Sequence, residues 1–123
     1  MKNMLAVRHI SISIARPWRE VYEFASLPGN LAQWAAGLDA AAQVSVTPAN
    51  ELGVIDHDVT LPDGEVVHVP LRVIANGDGA EVVFTLFQLP QMTREDLERD
   101  AAAVAKDLQT LQHLLEGPAW RRS

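Results

Sequence analysis

At 123 residues, with 48% apolar and 21% charged side chains and a net charge of −6, the chain has the composition of one soluble globular domain. The acidic balance argues against nucleic acid as a partner, because that surface calls for a concentrated basic face; Arg121 and Arg122 are too few and too terminal to supply one. The absence of cysteine excludes disulfides, thiolate chemistry and zinc–thiolate sites. No apolar run approaches the ~20 residues that cross a bilayer, and Met1 to Arg8 lacks the apolar centre of a secretory signal. A cytoplasmic protein with no membrane partner is expected.

Met4 to Ile14 alternates at the strand period, with Ile10, Ile12 and Ile14 on one face and His9, Ser11 and Ser13 on the other. Arg16-Pro17 breaks this strand, and Pro17 suits the first turn of a helix, where its missing N–H costs nothing. Trp18, Val21, Tyr22 and Ala25 then form an apolar stripe to Ser26, and Leu27-Pro28-Gly29 ends it. Asn30 is the predicted cap of a second short helix, with Gln33 placed for a capping box, Trp34 and Leu38 inward and Gly37 at the end.

From Ala41 the period returns to two. Strands are predicted over Gln43–Thr47, Val54–Leu61, Glu65–Ala75 and Ala80–Leu89, punctuated by Pro48, by Pro62-Asp63-Gly64 and by Asn76-Gly77-Asp78-Gly79. Connections this short force antiparallel neighbours.

A long helix follows. Leu97, Ala101, Val104, Leu108, Leu111 and Leu115 share one stripe, while Arg94, Glu95, Glu98, Arg99, Lys106, Asp107 and Gln109 lie opposite. Thr93 is the predicted N-cap, Asp96 favours the positive end of the dipole, and Gly117-Pro118 stops the helix. Such a helix spans ~34 Å. Burial of its large side chains contributes roughly 1.5–3 kcal/mol each, as an upper estimate. Residues 1–117 therefore read as one domain and 118–123 as a loose tail.

The order of strand, two short helices, strand meander and long helix resembles the helix-grip fold of the START-related ligand-binding superfamily, SRPBCC, which includes polyketide cyclases and the birch-pollen allergen. Ile12-Ser13-Ile14-Ala15-Arg16-Pro17-Trp18-Arg19-Glu20-Val21-Tyr22 is similar to its strand-proline-helix opening, and Leu31-Ala32-Gln33-Trp34 to its second helix. Gly53 to Leu61 and Asn76 to Phe87 resemble short bacterial members. The resemblance implies an α+β fold, with an antiparallel sheet wrapped around the C-terminal helix and a cavity between them. These motifs are structural and carry no particular chemistry. Five strands are predicted where the superfamily usually has six or seven, so a shorter sheet and a smaller or more open cavity are expected.

Alternation then sorts the side chains. His57 shares the apolar face with Ile55, Val59 and Leu61, whereas Asp56, Asp58 and Thr60 face away. An inward histidine is a candidate ligand contact or general base, because its pKa lies near neutrality. The same pattern suits a histidine at a cavity edge, satisfied by a neighbour or water. Val67, Val69, Leu71, Val73 and Ala75 read as inward and His68, Pro70, Arg72 and Ile74 as outward; a bulge at Pro70 would turn Arg72 into the pocket. Without a bulge, Arg72 is solvated or interfacial.

Val82, Phe84, Leu86 and Gln88 share one face of the last strand. The expected ligand contacts are Trp34, His57, Leu71, Phe84, Gln88 and Leu108, with Tyr22 grouped with Trp34; plain core packing suits both aromatics equally. The opposite face, Val83, Thr85 and Phe87 with Val66 and Ile74, is apolar enough to suggest a homodimer contact.

Several chemistries are absent from the pattern. His9, His57, His68 and His113 lack metal-ligand spacing, no Gly-x-Ser-x-Gly elbow occurs, and Gly77-Asp78-Gly79 is a hairpin turn rather than a phosphate loop. No cofactor or metal is expected. Three readings stand: a module that binds a small hydrophobic or amphipathic molecule; a cyclase, dehydratase or isomerase using His57 as acid–base; and a dimeric interaction module without ligand. The first is favoured by the resemblance and by the default that a concave apolar site binds ligands.

Overall fold

A computed structural model describes residues 4–35 and 43–117. Leu38 and Gly37, and the tail from 118, lie outside the described residues. The described elements are β1 (Val7–Ile14), α1 (Trp18–Ser26), a 3-10 turn (Pro28–Asn30), α2 (Leu31–Trp34), β2 (Gln43–Val46), β3 (His57–Thr60), β4 (Val66–Val69), β5 (Leu71–Asn76), β6 (Gly79–Phe87) and α3 (Arg94–Glu116). The architecture is α+β: antiparallel strands, a pair of short helices after the first strand, and a long C-terminal helix. It is the helix-grip arrangement that the sequence order predicts.

The strands pair as two three-stranded ladders, β1-β6-β5 and β2-β3-β4. Six strands appear among the described residues, rather than five, because the long predicted strand is divided at Pro70. Proline has no N–H to give to a ladder. Before it, β4 pairs with β3, Val69 opposite His57; after it, β5 pairs with β6, Leu71 opposite Phe84. The partner strand also changes ladder. Ile55 N–H donates to Leu71 O at 2.8 Å and Val73 N–H to Gly53 O at 2.9 Å, so residues 53–55 follow β5 through the single bridge Val54–Arg72. From His57 onward the same chain follows β4 and β2, so the strand predicted from Val54 begins as regular ladder only at His57.

Asp56 occupies the corner between these two pairings. Its carboxylate accepts from Leu71 N–H at 2.9 Å and, in a bidentate pair, from Arg72 Nε at 2.9 Å and NH2 at 2.8 Å. Its carbonyl accepts from Thr47 N–H at 3.0 Å and from the Thr47 hydroxyl at 2.6 Å. The alternation survives the corner: Leu71 and Val73 are buried while Arg72 is exposed. Arg72 therefore faces away from the interior, as in the unbulged register. Arg72 beside it, above all, holds the Asp56 carboxyl below its ordinary value against the opposing effect of burial.

The core lies between the β1-β6-β5 ladder and the helices. Ile14, Val21, Val73, Val82, Leu108, Leu111 and Leu115 are each at most 2% exposed. Of the predicted α3 stripe, Leu97, Ala101, Leu108, Leu111 and Leu115 are buried, and Val104 is half-buried. Thr93 and Asp96 form a reciprocal capping box, at 3.0 Å from Asp96 N–H to Thr93 Oγ1 and 2.9 Å from Thr93 N–H to Asp96 Oδ2. The capping box predicted at Asn30 does not form. The 3-10 turn from Pro28 places Asn30 in helical geometry, and its amide donates instead to Phe24 O at 3.0 Å. The outer residues Val66 and Ile74 are 57% and 51% exposed.

Two stability measurements follow from the corner. Asp56→Ala leaves Leu71 N–H and Arg72 without their acceptor, and a loss of about 2 kcal/mol is expected in urea unfolding at neutral pH, half-exposed Arg72 being partly screened. Because the folded-state pKa of Asp56 is lowered, its contribution is complete above the ordinary carboxylate value and lost as pH falls through the folded value. Asp56→Asn should therefore flatten the acid limb of the stability profile. The second compares Gly53→Ala with Gly64→Ala. Both glycines have positive φ, 75° and 90°, but a Cβ at Gly53 would lie 2.2 Å from Val73 O, whereas at Gly64 it meets nothing within 4 Å. Both substitutions should destabilise, Gly53→Ala by well over the ~1 kcal/mol expected of conformational strain alone. Equal losses would contradict the close strand approach.

Candidate functional site

A concave space of about 440 Å³ lies between the strands and the C-terminal helix. The strands contribute His57, Leu61, Phe84 and Leu86, α2 contributes Trp34, and α3 contributes Val104 and Leu108. Asp100, Ala103 and Asp107 continue the α3 wall. A second space of about 340 Å³ shares Leu61, Leu86 and Asp100 and extends toward Val59, Val67, Val69 and Met92. The two spaces adjoin at these shared residues, and the second meets α3 at Asp100.

Two side chains are unusual in this wall. His57 is 3% exposed, and its Nδ1 lies 3.0 Å from Ile55 O. A carbonyl only accepts, so Nδ1 carries the proton and Nε2 presents a lone pair. That Nε2 is buried and has no hydrogen-bond partner. Burial lowers the His57 pKa, opposed by the Ile55 carbonyl and by Asp56, and keeps the ring neutral at neutral pH. The ring meets Phe84 edge-on, with centroids 6.4 Å apart. Trp34 is also 3% exposed, and its Nε1–H is likewise buried without a partner. Leaving a polar group buried and unpaired costs about 1–3 kcal/mol, so two in one wall call for an account.

Of the predicted contacts, Trp34, His57, Phe84 and Leu108 come together in this cleft. Leu71 and Gln88 do not join them. Leu71 is packed in the core at 1% exposure, and the Gln88 amide donates to Met92 O at 3.0 Å, tying down the loop before α3. Tyr22 is a core residue whose hydroxyl accepts from Asn50 N–H at 2.8 Å. His68 lines the second space rather than the first, and its Nδ1 lies 2.8 Å from Asp58 Oδ1. Among the described residues, no group of three or more histidine, aspartate or glutamate side chains is placed to hold a metal ion.

Asp100, Ala103 and Asp107 were not legible as cleft residues from polarity alone. Their spacing offered the signal: positions 100, 103 and 107 run beside 104 and 108 along one helical ridge. Partial burial raises the Asp100 pKa, with Arg99 opposing the shift and Asp96 reinforcing it.

No protein-family model matches this sequence, and no curated protein matches it. Solved structures do. CalU16 from Micromonospora echinospora is 16% identical with a TM-score of 0.70, the match covering 94% of this chain and 80% of that one. An AHSA1-like protein from Rhizobium etli is 17% identical with a TM-score of 0.66, covering 93% and 84%. DynU16, from the dynemicin biosynthetic locus, is 15% identical with a TM-score of 0.67, covering 90% of this chain but 47% of that one. At such identities the likeness is one of fold. With its α3 gripped by antiparallel strands, the chain has the helix-grip fold of SRPBCC-type proteins.

Proposed function

We propose that this protein binds a small hydrophobic or amphipathic molecule in the cleft between the strands and α3. The observation that carries this reading is the cleft itself: a space of about 440 Å³ walled by Leu, Val, Phe and Trp side chains, with few polar groups facing it. Small-molecule sites have this volume and this ratio of apolar wall to polar anchors. The helix-grip likeness agrees with it, since proteins of this fold often bind hydrophobic ligands.

A catalytic reading is favoured by one specific observation, the unpaired and neutral Nε2 of His57. Such a nitrogen can take a proton from a bound substrate, so the cleft would serve a cyclase, dehydratase or isomerase step. Under that reading His57→Ala abolishes turnover of a bound substrate; under the binding reading it shifts affinity modestly.

Titration with Nile red, a neutral apolar dye, tests the primary reading. Saturable fluorescence enhancement is expected from the native protein. Ala103→Trp, an exposed position on the α3 wall, should weaken the dye by about tenfold while leaving the circular dichroism spectrum intact. Native mass spectrometry of gently purified protein should also reveal a noncovalent adduct lost on denaturation. No saturable dye binding by the folded protein would overturn the proposal.

A further inference from the structure

A third space, of about 470 Å³, shares no residue with the two described above. It is a groove between β1 and the first half of α3, lined on the helix side by Ala101, Ala102 and Ala105 and spanned by the Arg8–Glu98 ion pair. β1 is the outer strand of its ladder. Gln88 N–H donates to Ala6 O at 2.9 Å, which sets the phase of the pairing: Arg8, Ile10, Ile12 and Ile14 exchange bonds with β6. Val7, His9, Ser11 and Ser13 therefore turn their N–H and C=O groups the other way. Side chains of α3 close the C-terminal end of this edge. Gln112 Nε2 donates to Ser13 O at 2.8 Å, and Ala15 N–H donates to Glu116 Oε2 at 2.6 Å. Over Val7, His9 and Ser11, no group among the described residues bonds the outward N–H or C=O. Sheet edges are normally blunted, and here the blunting stops at Ser13.

We propose that an extended peptide segment of a partner protein adds to β1 as a fourth strand, uncharged where it is seated and basic on its flanks. Donors and acceptors repeated at every second residue are a template that another extended backbone matches. The open stretch from Val7 to Ser11 is five residues long, or ~17 Å of strand. Side chains of the added strand that point toward α3 meet the small alanines, so apolar residues suit those positions, and polar ones suit the face shared with His9 and Ser11. Charge sets the rest. Arg8 and Glu98 are already paired with each other, which leaves no counter-ion for a charge in the seat. The net charge of −6 favours lysine or arginine beyond it. A second copy of β1 fits less well, because it would bring its own α3 along the same edge.

The probe is the blocked peptide acetyl-Lys-Thr-Val-Thr-Val-Thr-Lys-amide, titrated into the 15N-labelled full chain. Saturable binding with a Kd of about 100 μM is expected. The amide signals of Val7, His9 and Ser11 should move downfield, and those of Ile10 and Ile12, already bonded to β6, much less. Two further peptides carry N-methyl groups, one on both valines and one on all three threonines. Only one of these sets turns its N–H groups toward β1 in a given register, so one peptide should lose binding and the other keep it within about threefold. Ala102→Trp, at an exposed helix position in the groove, should weaken the parent peptide at least about tenfold with an unchanged circular dichroism spectrum. No saturation up to about 2 mM peptide, equal sensitivity to both methylated sets, or amide shifts centred on the Trp34–Phe84 cleft overturns the proposal. Concentration-dependent dimerisation that protects the same three amides without peptide also overturns it, in favour of a second copy.

Discussion

The Asp56 carboxylate, held at the point where two strands change partners, is the interaction on which the rest of the structure depends. A proline in the middle of a strand interrupts the ladder, and the next N–H must find an acceptor. Here Leu71 N–H finds Asp56, and the bidentate Arg72 pair fixes the carboxylate's orientation. Thr47 grips the carbonyl of the same residue from the other side. The pairing of β3 with β4 and the pairing of 53–55 with β5 can then diverge without stranding a buried backbone group. That divergence divides the strands between the β2-β3-β4 and β1-β6-β5 ladders.

The candidate site lies next to the same divergence. His57 follows the corner directly and hydrogen-bonds back to Ile55 O, just before it. The backbone thereby selects the histidine tautomer and leaves Nε2 buried without a partner. A neutral, oriented and unpaired imidazole is costly in a folded protein, and the unpaired indole N–H of Trp34 doubles that cost. Neither residue is needed to fill volume with a polar atom; leucine and phenylalanine would occupy similar space.

The most legible part of the fold was α3, because a stripe sustained at 3.6-residue spacing, with Thr93 and Asp96 at its start, allows no other element. The first strand and α1 were legible for similar reasons of period and of Pro17. The corner was not. Its two halves keep the period-two alternation through Pro70, so Val67 to Ala75 reads as a single strand although the hydrogen-bond partner changes midway. At Asn30 a local rule lost to its neighbour: Pro28 began a 3-10 turn that took the residue out of capping geometry. In the site, alternation placed His57 and Phe84 inward and helical spacing placed Trp34 and Leu108. Which inward residues border open space was not legible, because Leu71 and Phe84 have equal credentials in sequence and are separated only by packing. The unpaired state of His57 Nε2 and Trp34 Nε1 depends on what lies around them in three dimensions, which no spacing encodes.

The pairing of β1 with β6 bears on how the chain reaches this state. The ladder joins Ile14 to Ala80 and Val7 to Phe87, and α3 packs across β1 from beyond β6. The segment between Ile14 and Ala80 is thus a loop closed by the β1–β6 ladder, and the entropy of that closure is spent before most of the core contacts form. Folding should be slow for a domain this small and limited by the encounter of β1 with β6. During synthesis β1 has no strand partner among the described residues until β6 has emerged, so its isoleucine face stays uncovered until then.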